Sequence, residues 1–83
     1  MSGNSQILTI LDSYGFTKGL ITQTKNPHLR KLVADCPVSN SGPQNTQQAL
    51  DAADALEAEG YPVRTIQIGE LNGVQTMQTM LYA

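Results

Sequence analysis

The sequence predicts a small α+β domain, on three observations. Apolar residues at helical spacing and β-branched, alternating runs take turns along the 83 residues. Two glycines, Gly15 and Gly60, each follow a helix-like stretch and precede an aromatic residue and a strand-like run. The pair Asn72-Gly73 lies between two β-type segments and is the strongest short hairpin signal. A chain of this length forms one domain, here spanning 1–83. The expected architecture is two helix–strand units plus a C-terminal β-hairpin, with the helices packed on one face of a short sheet.

The first element is the helix predicted over "SQILTILDSY", positions 5–14. Ile7, Ile10, Leu11 and Tyr14 share one face of it, and Asn4 or Ser5 is placed to cap its start. Gly15 suits the left-handed residue just past a helix end, and Phe16 then falls where it can touch Leu11. "TKGLITQT", positions 17–24, predicts a strand. Asn26 followed by Pro27 matches a cap and a first helical position, so "PHLRKLVAD", positions 27–35, predicts a short helix with Leu29, Leu32 and Val33 inward.

A polar loop beginning at Cys36 leads to the clearest helix, positions 46–59. Asn45 is its expected cap, with Gln48 three residues on as in a capping box. Ala49, Ala53 and Leu56 form its stripe, flanked by Leu50 and Ala52. Gly60 and Tyr61 repeat the pattern of Gly15 and Phe16. "PVRTIQIGEL" predicts a strand, and "VQTMQTMLYA" its return partner across Asn72-Gly73. The alternative for that last segment is a helix with Val74, Met77 and Leu81 on one face. "LDSYGFTKGLITQ" and "LEAEGYPVRTIQI" align at an offset of 45, a faint internal repeat.

Composition bears on function. Charged residues make up 14% of the chain, where soluble domains average about 25%. Eight glutamines and eight threonines fill the gap. Such a surface packs against a partner without desolvating many ions, which points to work inside an assembly. The net charge of −2 is split: positions 1–34 carry +3 and positions 35–83 carry −5. That split fits either an external partner or attraction between the two halves. One cysteine forms no internal disulfide, and no signal-peptide pattern or membrane-length apolar run is present. The expected setting is cytoplasmic or virion-associated, without signal-peptide secretion.

Cys36 is the one candidate for covalent chemistry. Backbone amides at a helix start attract anions and lower a thiol's pKa. The stretch "VADCPVSNSGPQNTQQALDAADALEAEGYPVRTI" is similar to the phosphocysteine loop of sugar phosphotransferase IIB domains, where Cys-Pro precedes a helix ending in Gly-Tyr. That resemblance implies a thiol or phosphoryl-transfer enzyme with Cys36 as its catalytic residue. The nine-residue step from Cys36 to Asn45 departs from the pattern, and the remaining elements of such a domain have no room here. His28, the only histidine, reads as a surface residue. A single histidine and a single cysteine are too few for a zinc site, so neither metal nor cofactor is expected. Lys25, Arg30 and Lys31 form a slight basic cluster that the acidic half opposes, so nucleic acid is not an expected partner.

Two segments stand out as interaction surfaces. Asp51, Asp54 and Glu57 follow one another at three-residue steps, and no lysine or arginine on their helix relieves them. They suit a protein partner with a basic surface. Met77, Met80 and Tyr82 crowd the last segment, and methionine packs adaptably at interfaces. The sequence therefore reads as a non-enzymatic protein–protein interaction module, a small assembly subunit or a compact inhibitor or adaptor of the kind viruses and bacteria encode. A homo-oligomer is compatible with this reading.

Overall fold

The computed structural model describes residues 3–82, which run as α1 (Asn4–Ser13), β1 (Thr17–Gln23), β2 (Leu29–Asp35), α2 (Gly42–Ala58), β3 (Val63–Leu71) and β4 (Val74–Tyr82). The strands form one antiparallel sheet in the order β1-β2-β4-β3. Cross-strand partners share a face, so Leu32 and Ala34 of β2 point the same way as Thr79 and Met77 of β4. Leu32, Ala34 and Met77 join Ile7 and Leu11 of α1 and Ala49, Ala52 and Leu56 of α2 in a single core cluster. Both helices thus cover one face of the sheet, and the α+β class and the C-terminal hairpin are as the sequence predicts.

The two helices end by the same device. Gly15 takes a φ of +88° and Phe16 N–H donates to Leu11 O at 3.0 Å. Gly60 takes +93° and Tyr61 N–H donates to Leu56 O at 2.9 Å. These left-handed stops bury Phe16 and turn each chain straight into an edge strand. Asn72 and Gly73 both have positive φ, as a two-residue hairpin turn requires.

Positions 27–35 are not a helix. Asn26 Oδ1 accepts from His28 N–H at 2.9 Å, and Thr24 Oγ1 donates to Leu29 O at 2.8 Å. Asn26 therefore shapes a hairpin loop instead of capping a helix. β2 is central, paired with β1 on one side and β4 on the other. Two ladders of backbone hydrogen bonds outweigh a weak local helix preference. Leu32 is in the core, while Val33 is on the opposite face and only partly buried.

Helix α2 also starts earlier than its apolar stripe implies. Ser41 is the cap: its Oγ accepts from Gln44 N–H at 3.3 Å, and Gln44 Oε1 accepts from Ser41 N–H at 2.8 Å. Pro43 fits the first turn, where its missing donor costs nothing. Asn45 lies inside the helix and is buried. Its Nδ2 donates to Gln75 Oε1 at 2.6 Å, and its Oδ1 has no partner. α1 likewise lacks the side-chain cap expected of it. Asn4 is its first residue, and Asn4 Oδ1 accepts from Arg30 Nη1.

The internal repeat extends further than the alignment. Each half is a helix followed by a hairpin, not a helix and one strand. The edge strands are both bulged at the corresponding place, between Thr17 and Leu20 and between Val63 and Thr65. Ile21 pairs with Leu32 as Ile66 pairs with Thr79. The two halves meet where β2 pairs antiparallel with β4. An approximate two-fold axis therefore passes through the sheet centre.

Candidate binding surface

Alternation along the strands sorts the predicted C-terminal residues. Met77 is 1% exposed and faces the helices, so it is core and not a contact residue. Met80 and Tyr82 share a parity opposite to that of Met77, and a one-residue phase difference sends them to the other face of the sheet. Tyr82 is 42% exposed and Met80 partly so. The helical alternative for this segment is excluded, because β4 pairs with both neighbours along its length.

No described helix covers that second face. It carries Leu20, 63% exposed, and Leu71, 60% exposed, towards its two edges. Val33, Val74, Met80 and Tyr82 lie between them by register. Its polar residues are mostly uncharged. Gln67 Nε2 donates to Gln78 Oε1 at 3.2 Å, and Gln78 Nε2 donates to Thr76 Oγ1 at 3.3 Å, a short ladder across β3 and β4. A groove of about 320 Å³ lies along it, between Lys31, Gln67, Gln78 and Met80. Sequence reasoning found Met80 and Tyr82 but missed Leu20 and Leu71. The alternation in "GLITQ" and "IQIGEL" was the signal that could have found them.

Asp51, Asp54 and Glu57 are all exposed on α2. Asp51 accepts a hydrogen bond from Gln47 Nε2 at 3.1 Å. α2 packs on the opposite side of the sheet from Met80 and Tyr82. The two predicted surfaces are therefore separate, and a single flat partner would not touch both.

Comparison with protein-family models, curated proteins and solved structures matches nothing to this chain.

Cys36 closes β2 and is buried, with its N–H donating to Gln75 O at 2.9 Å. Burial pushes its thiol up, and the neighbouring Asp35 carboxylate adds to the effect. Both causes favour the protonated thiol over the thiolate a nucleophile needs. The loop after it forms one wall of a cleft of about 270 Å³ with Asn40, Glu70 and Gln75. At the nearby helix start Gln44 N–H donates to Ser41 Oγ and Asn45 N–H to Ser41 O, and Pro43 has no N–H to offer. Among the described residues no group of three or more His, Cys, Asp or Glu could hold a metal ion, and no helix is long and apolar enough to cross a membrane.

Proposed function

We propose that this chain is a non-enzymatic protein–protein interaction module, either a small subunit of an assembly or a compact inhibitor or adaptor. Its contact surface is the uncovered face of the sheet. The carrying observation is that exposed apolar side chains, Leu20, Leu71 and Tyr82 with Met80 among them, spread across a face whose polar residues are mainly neutral amides and hydroxyls. Apolar area of this kind favours association by roughly 25 cal/mol per Å² removed from water, and neutral polar neighbours add little desolvation cost. The exposed carboxylates of α2 act at longer range. They raise the encounter rate with a basic partner without entering the contact.

The test is affinity capture from source-cell lysate with wild-type chain, a Leu20→Lys/Met80→Lys double variant, and Cys36→Ala. A specific protein retained by wild type and Cys36→Ala, and lost with the double variant, is the expected pattern. Equal capture by the double variant would sink the assignment to this face. Loss with Cys36→Ala alone would turn the reading towards thiol chemistry.

A further inference from the structure

We infer that the open face of the sheet is covered by a second copy of this chain, stacked face to face with its strands reversed. The inference rests on the sheet-face reading and names the partner.

The face carries a balanced pair of charges. Cross-strand partners line up in rows, and one row runs Leu20, Val33, Gln78 and Gln67 from β1 to β3. On β2, Lys31 lies two residues to one side of that row and Asp35 two residues to the other. The register of β2 on β4 is unbroken, so both charged side chains stand on the open face with Val33. Lys31 is exposed and Asp35 half-buried. Among the described residues they are the only charged ones at regularly paired positions of this face; Lys18 and Arg64 fall within the bulges of the edge strands.

Two aligned sheets stack about a two-fold axis in one of two ways. An axis along the strands sets β2 over β4 of the second copy, with Lys31 against Met80 and Asp35 against Thr76. Both charges then lose water without gaining a counter-charge, which is costly. An axis across the strands, along the Val33 row, keeps β2 over β2 and reverses it. Lys31 then faces Asp35 of the second copy, and Asp35 faces Lys31 of the second copy, so every charge is paired. The same axis sets Val74 and its neighbour Leu71 against Tyr82 of the second copy, and Leu20 against its own image. Between them, Thr76, which sits beside Gly69, comes opposite the larger Met80. The face is thus complementary to itself in charge and in the placing of its apolar residues.

Its area suffices. Four strands of seven to nine residues, at about 4.8 Å per strand and about 3.3 Å per residue, make a face of roughly 500 Å². Two such faces bury on the order of 1,000 Å², the lower bound for a specific interface. α2 and its carboxylates stay on the outside of this dimer.

Sedimentation equilibrium across a concentration series tests this with Lys31→Glu, Asp35→Lys and the two combined. Wild type should dimerise. Each single change sets two pairs of like charges in contact and should raise the dissociation constant at least tenfold, a shift of about 1.4 kcal/mol. The double change restores both pairs and should recover most of the affinity. Within one chain the two positions stand about 13 Å apart, so recovery reports a contact between copies. Should Asp35→Lys fail to fold, Val33→Cys in a Cys36→Ala background serves instead: Val33 faces its own image, and oxidation should link two copies through that position. A double variant no tighter than the singles, or a Val33→Cys chain that does not cross-link, would overturn the reversed stacking. A wild type that stays monomeric up to about 1 mM would overturn the second copy as partner. Capture of a different protein by this face, with wild type monomeric, would do the same while leaving the sheet-face reading intact.

Discussion

Cys36 illustrates how environment overrides residue type. Its thiol is buried beside Asp35 and is pushed above the ordinary thiol range. The unfolded chain releases that proton at lower pH than the folded one. The stabilisation is therefore complete below the ordinary thiol value of about 8.5 and falls as pH rises through the folded value. Between about pH 8 and pH 10, wild type should lose more stability in urea than Cys36→Ala, and modification of the native thiol by iodoacetamide should be slow near neutrality. Parallel pH profiles for the two proteins would contradict the burial. The two helix-stop glycines differ in a second respect. A Cβ on Gly60 meets nothing within 4 Å, whereas on Gly15 it meets Pro37 Cγ at 2.8 Å. Gly60→Ala should cost about 1 kcal/mol from backbone strain alone, and Gly15→Ala more, because a rigid ring must also move. Equal melting temperatures for the two variants would show the Pro37 contact to be soft.

At the scale of elements, β2 carries the main lesson. Read as a helix, the segment puts Leu32 and Val33 on one inward face. As a strand it sends them to opposite faces. Leu32→Ala should accordingly cost about 2–5 kcal/mol, while Val33→Thr should stay within about 0.5 kcal/mol; similar losses from both would favour the helix. The glycine stops, the Asn72-Gly73 turn and the stripe of α2 were legible because each depends on residues within a few positions. β2 was not, because its period is masked by the adjacent apolar pair Leu32-Val33 and its stability comes from strands distant in sequence. The start of α2 was misplaced for a related reason. Ala49 begins the visible stripe, but the cap lies a full two turns earlier, at Ser41. The candidate surface was half legible: Met80 and Tyr82 stood out by composition, yet separating them from Met77 needed the strand register.

The molecule as a whole is two similar helix–hairpin halves joined at its centre, and that similarity makes the order of the halves nearly irrelevant. A Cβ on Gly3 would run into Tyr61, and Tyr82 N–H donates to Pro62 O at 2.8 Å. Position 3 lies against the tip of the Tyr61 ring and position 82 against the Pro62 backbone, so a flexible linker long enough to span that side chain can bridge them. The link between the halves passes through Val38, at 94% the most exposed large apolar residue among the described residues. A chain opened between Val38 and Ser39 and joined from 82 to 3 keeps the Ser41 cap, both glycine stops and every strand pair. Such a circular permutant should unfold in one cooperative step, with a urea midpoint close to that of the original chain. A permutant opened between Asn72 and Gly73 should not, since it cuts the turn that sets the β3–β4 register. If both behave alike, the halves are not independent folding grammar but parts of one indivisible core. If they differ as expected, the chain has two natural starting points, and either half can lead.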